Sequence, residues 1–141
     1  MTTVDGFGAN IRIDGQFNIA FVSVSGTLGV GGLPVLLKEL LQTRGFKRSM
    51  NSVVDLRNAR LGNDISSLPR LSELYLSSQI ERGHSFRTAF VCNDDFTFGI
   101  CRMVAVELEQ VPIWVKVVRN MDDALAWVGG DQEWISEADM G

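Results

Sequence analysis

Residues 51–67 read NSVVDLRNARLGNDISS, and this stretch decides the fold. Val53-Val54 is a short β-branched run of the kind that packs well in a sheet. It heads into a polar elbow holding Asp55, Arg57, Asn58 and Asp64, after which Ser66-Ser67 opens an apolar-periodic stretch. The pattern predicts a buried strand over 52–56, a loop at its C-terminal end and a helix capped by serine, running from about 67 to 82. In open α/β sheets, ligands and modifications are met at that end of the strands.

Upstream, NIRIDGQFNIAFVSV at 10–24 reads as a hairpin. Asp14-Gly15 predicts a type I′ turn, with glycine supplying positive φ. SGTLGVGG at 25–32 connects to a helix over about 33–43, where Leu33, Leu36, Leu37, Leu40 and Leu41 make one apolar face. Downstream, Leu68, Leu71, Leu74, Tyr75 and Ile80 form the stripe of the 67–82 helix. FRTAFVC at 86–92 predicts a strand, and Asn93-Asp94-Asp95 caps a helix reaching about Gln110. PIWVKVV at 112–118 is the last strand. Asn120 caps a final helix through Trp127, stopped by Gly129-Gly130. A hairpin, a helix and repeated strand–helix units imply an α/β fold: a mixed β-sheet of about five strands with about four helices.

The chain has 141 residues, which fits one domain over 1–130. All but four of its 17 acidic residues lie there, balanced by its 13 basic ones. The segment 131–141 adds Asp131, Glu133, Glu137 and Asp139, an acidic tail that docks through Trp134 and Ile135 or stays disordered. A neutral body with an acidic tail argues against nucleic acid, which selects a basic footprint. No apolar run nears the roughly 20 residues of a membrane span, so no stable membrane insertion is expected. The start, MTTVDGFGAN, has neither the basic nor the apolar segment of a secretory signal, and the expectation is a cytoplasmic, bacterial-type protein.

Chemistry is sparsely represented. His84 and Cys92 sit at opposite ends of one strand, about 26 Å apart, too far for a dyad. With no second histidine a Ser–His–Asp triad is excluded within one chain. Cys92 and Cys101 fit no zinc or redox spacing and read as buried thiols. Asp55, Asp64, Asp94 and Asp95 could gather near the strand ends, but turn and capping roles account for the last three. No metal and no cofactor is implied. SGTLGVGG lacks the P-loop lysine, because Gly32 stands in its place, and reads as a tight turn although its N–H groups suit an anion. The helix after Asp95 carries Phe98, Met103 and Val106 beyond a single stripe, which points to another subunit, an apolar cavity or burial under the tail.

The chain resembles the STAS domain, the fold of bacterial anti-sigma-factor antagonists, and most closely its SpoIIAA-like branch. The residues that carry this are Gly26 after the early strand, Val53-Val54-Asp55-Leu56-Arg57, Arg87-Thr88-Ala89-Phe90-Val91, Phe98-Gly99 with Arg102-Met103, and Asp123-Ala124-Leu125-Ala126-Trp127-Val128. The resemblance spans about 10–128. It implies a non-enzymatic regulatory domain acting through a protein partner. In the antagonists one serine of an Asp-Ser-Ser-Gly loop is phosphorylated by the cognate kinase, and Asp64-Ile65-Ser66-Ser67-Leu68 lies at the matching place, with an isoleucine inserted and no glycine following. Asp64, Ser66 and Ser67 are therefore the candidate switch. Asp55, Arg57, Asn58, Phe98, Met103 and Val106 are the candidate partner or ligand surface. A homodimer is expected, and the alternative function is binding a small amphipathic or lipid-like molecule in an apolar pocket.

Overall fold

The computed structural model describes residues 2–4 and 7–129. Its strands are β1 (Thr2–Val4), β2 (Phe7–Asp14), β3 (Ile19–Leu28), β4 (Asn51–Leu61), β5 (Arg87–Val91) and β6 (Trp114–Val118). Its helices are α1 (Leu33–Leu41), α2 (Leu68–Ser77), the single turn α3 (Gln79–Arg82), α4 (Asp95–Glu107) and α5 (Met121–Gly129). The strands form one sheet in chain order, β1 to β6. The first two pairings are antiparallel and the other three parallel. The α/β mixed sheet is as expected, with β1 added at the edge. The Trp134 and Ile135 of the tail lie outside the described residues.

Chain-order pairing fixes the layers. Crossovers between parallel strands are right-handed, and here each steps the same way along the sheet, so α1, α2 and α4 must share one face. They do. Leu33, Leu36, Leu68, Leu71, Ile100 and Val104 join Val22, Val24, Leu56 and Phe90 in the larger core. α5 follows the last strand and covers the opposite face, where Ala124 and Val128 meet Val53, Ala89 and Val91. β5 lies between both layers and all five of its residues are buried.

Because α5 is the one described element on its face, the far reaches of β3 and β4 are uncovered by any described helix, and Ser23, Ser25, Thr27, Asn58 and Arg60 are exposed. This corrects the expected elbow. β4 does not end at 56. It pairs with β5 only from Ser52 to Asp55, then runs on beside β3 to Leu61, past a register shift opposite Ser23–Ser25. Its polar residues face solvent from a strand.

Two further expectations are revised. The hairpin is closed by four residues, 15–18, and not by a two-residue turn. Asp14 Oδ1 accepts the N–H groups of Gln16 and Phe17, both at 3.1 Å, and Asn18 takes the positive φ, at 58°. The 67–82 helix breaks at Ser78, whose hydroxyl bonds to the Leu74 carbonyl. The break turns Ile80 out to 82% exposure and Arg82 inward to complete burial. The Arg82 guanidinium lies 3.6 Å from the Phe86 ring centre and donates to Ser52 Oγ at 3.3 Å. Burial draws its pKa down to about 10.

Gly83 ends this turn with φ 95°, and a Cβ there would lie 2.2 Å from Ser49 Oγ and 2.5 Å from Ser49 N. Gly83→Ala should therefore cost at least about 2 kcal/mol in urea denaturation. Gly15→Ala, with open space around it, should stay within about 0.5 kcal/mol. Equal effects would contradict these turn assignments.

Candidate functional site

β3 and β4 end side by side, Leu28 opposite Leu61, and both chains must turn back onto the helical face. The Gly62 N–H bonds to the Leu28 carbonyl at 2.8 Å, so the two exits start in contact. Each then makes a 3₁₀ turn, Val30–Gly32 before α1 and Ile65–Ser67 before α2. Turns that open helices leave N–H groups without intrahelical acceptors. Asp64 supplies one acceptor for two of them. Its Oδ1 takes the Val30 N–H at 2.7 Å and its Oδ2 the Gly31 N–H at 3.1 Å. A Cβ at Gly29 would stand 3.0 Å from Asp64 Oδ2, so glycine is what lets the turn come this close. The glycine-rich segment does hold an anion, and the anion is the chain's own carboxylate.

Ser67 completes the cluster. Its hydroxyl lies 3.4 Å from Asp64 Oδ2 and makes no capping bond to the helix it precedes. The expected serine cap is thus replaced by a side chain facing Asp64. Ser66 is exposed one residue earlier. Burial pushes the Asp64 carboxyl up, but the Gly31 and Val30 N–H groups, with the Ser67 hydroxyl, outweigh it, and its pKa falls below the ordinary value. A depressed carboxyl contributes stability that is present above its unfolded pKa and lost as pH falls through the folded one.

A third helix start joins the same end of the sheet. Asp94 caps α4 by accepting the Thr97 N–H at 2.9 Å, as its sequence position predicts. Thr97 Oγ1 in turn accepts the Leu61 N–H at 3.3 Å, tying α4 to the end of β4. The four aspartates do not assemble. Asp64 is held by the glycine turn, Asp94 caps, and Asp95 pairs with Arg119 at 2.8 Å. Among the described residues no three metal-ligating side chains are grouped. Asp55 pairs with Arg57 through two bonds of 2.9 Å, and Arg57's side-chain bonds draw its carboxyl below the usual range. Asp55 is six residues before Leu61 on an extended strand, so this pair and the exposed Asn58 lie up to about 20 Å from the Asp64 cluster. The structure divides the elbow into two places.

α4 carries the expected apolar surplus in part. Phe96, Met103 and Val106 are exposed, at 51%, 40% and 63%. Phe98 is half-buried against the larger core, 4.2 Å beneath the Arg119 guanidinium, and is not part of that surface. An open groove of about 830 Å³ runs along Met103 and Val106 to Val115 and Trp127. The cavity beneath α1 and α2 holds about 30 Å³, room for water and not for a lipid chain. His84 is an exposed loop residue and both cysteines are buried free thiols. The two meet in space, and Cys101 lowers the Cys92 pKa by hydrogen bonding to it. Sequence spacing hides that contact, because one is at the end of β5 and the other inside α4. Thr97 was missed as a site residue, and although the segment holding Val30 and Gly31 reads as suited to an anion, no local signal links it to Asp64 or Thr97 to Leu61.

This architecture is the SpoIIAA-like STAS fold. Along 91% of its length the chain superposes on 98% of an anti-sigma factor antagonist from Mycobacterium paratuberculosis, with TM-score 0.54 and 21% identity. It matches a SpoIIAA-like protein of the DUF3478 family from Shewanella loihica over the same shares, with TM-score 0.52 and 18% identity. No family model and no curated protein sequence matches. Among the described residues no helix is long and apolar enough to cross a membrane.

Replacing Asp64 by asparagine should release the glycine turn. Amide exchange at Val30 and Gly31 should speed up while Ala89 and Phe90 keep their protection. The loss of stability should be about 0.5–1 kcal/mol, since the carboxylate is exposed and screened. Unchanged exchange at the two turn amides would show that Asp64 does not hold them.

Proposed function

We propose that this chain is a regulatory domain without catalytic activity, which acts by binding a protein partner at the end of the sheet where the Gly29–Gly31 turn meets Asp64–Ser67. One contact carries the reading: the Ser67 hydroxyl lies 3.4 Å from the Asp64 oxygen that also receives the Gly31 N–H. A phosphate on Ser67 would bring about −1.5 to −2 charge against that carboxylate. The two anions would compete for the same N–H groups, and the one displaced would change the surface of both turns. The helices behind them rest on the core and need not move. A phosphate on the exposed Ser66 would add charge to the same surface without contesting the clamp. Ser67 is therefore the favoured position.

The likeness to an anti-sigma factor antagonist supports a protein partner of the anti-sigma class. Asp55, Arg57 and Asn58 extend the proposed binding face, since an ordinary interface of about 800 Å² per partner can span both places. The exposed stripe of α4, with Met103 and Val106, is proposed for self-association. The open groove beside it favours a second reading, capture of an amphipathic small molecule.

Peptide mapping by mass spectrometry of protein from its host tests the switch. Phosphate on Ser67, or on Ser66, is the expected result. Ser67→Glu should also shift the Val30 and Gly31 amide resonances. Unmodified peptide in every growth condition, with those resonances unmoved in Ser67→Glu, would remove the switch.

A further inference from the structure

The exposed side of α4 is built as its own complement. Phe96, Gly99, Arg102, Met103 and Val106 recur along that side, followed by Glu109 in the 3₁₀ turn that continues the helix. Gly99 has open space where a Cβ would stand, so another backbone can come close there. At the middle are Met103 and Val106. Flanking these two are opposite charges, Arg102 and Glu109, seven residues apart. That is two helical turns, about 10 Å along the axis and on one face.

Among the described residues neither charge is used. Arg102 and Glu109 are exposed and make no ion pair with another described residue. Their neighbours are engaged: Glu107 accepts from Ser72 at 2.6 Å and from Gln110 at 2.9 Å, and Arg119 pairs with Asp95. Beside the stripe lies the open groove, bounded by β6, whose outer edge has no strand partner among the described residues.

Resting on the reading of α4 as the self-association surface, we propose that its occupant is α4 of a second copy, laid antiparallel about a two-fold axis that passes between Ala105 and Val106. Such an axis sends Arg102 onto Glu109 of the second copy, and Glu109 onto its Arg102, in one operation. The two pairs flank Val106 and Met103 of both chains, which fill each other's grooves. A parallel arrangement would set arginine on arginine and glutamate on glutamate. A partner of unrelated sequence would need a matching cation and anion at this separation, whereas a second copy has them by symmetry. The charges select the register, and the apolar centre supplies the main attraction.

Charge exchange on the full chain tests this, because all the changes are at exposed positions. Sedimentation velocity over a range of concentrations should show a monomer–dimer equilibrium for the wild type. Arg102→Glu should weaken the dimer about tenfold, replacing two attractions by two repulsions. Arg102→Glu with Glu109→Arg should return the dissociation constant to near the wild-type value. Circular dichroism should show all three folded alike. A dimer that ignores Arg102→Glu, or a double variant as weak as the single one, would overturn this register while leaving self-association elsewhere. A wild type that stays monomeric up to millimolar concentration would overturn self-association itself. Neither result bears on the Ser67 switch.

Discussion

Two parallel strands that end together create the constraint on which this structure depends. β3 and β4 finish at Leu28 and Leu61 and both chains must reverse onto the same face to begin a helix. Their turns converge with unpaired N–H groups, and like dipoles at the helix starts would not hold them together. A single anion between them does. Asp64 comes from one turn and takes two N–H groups of the other, 34 and 33 residues away. That contact joins the two turns from which α1 and α2 start, while the leucines of both helices rest on the core. It also leaves one hydroxyl, that of Ser67, in touch with the clamp.

The fold was legible where its cause is local. The leucine period of α1, the Asp94 cap of α4, the apolar run of β5 and the Asn120 cap of α5 each depend on residues a few positions apart. Where distant residues decide, reading failed. β4 looked short because Arg57, Asn58 and Arg60 in its last part are polar, and they are exposed on a face that no described helix covers there. The turn at 15–18 uses the Asp14 side chain and Asn18 in place of Gly15. Ile80 fits the stripe of α2, but the break at Ser78 rotates it away. At the candidate site the two halves, a glycine turn suited to an anion and an aspartate suited to a turn, were both visible in the sequence. That they satisfy each other was not.

Arg82 shows what the opposite end of the sheet tolerates. Among the described residues no carboxylate pairs with the buried Arg82 guanidinium, and such burial is costly. Stacking on Phe86 and Phe46 and the bond to Ser52 offset part of that cost. Its position at the N-terminal ends of β4 and β5 keeps it away from the turns that carry the proposed switch. The two ends of the sheet thus differ: one is packed around a buried cation, the other is closed by an exposed anion that the proposed modification would contest.

The Asp64 clamp is tested most directly by titrating the Val30 and Gly31 amides in ¹H–¹⁵N spectra from neutral pH downward. If the carboxylate holds both, the two resonances should move together through one transition. Its midpoint should lie below the ordinary aspartate value of about 3.9. Amides that titrate separately, at the ordinary value, or not at all would contradict the clamp and with it the site built around it.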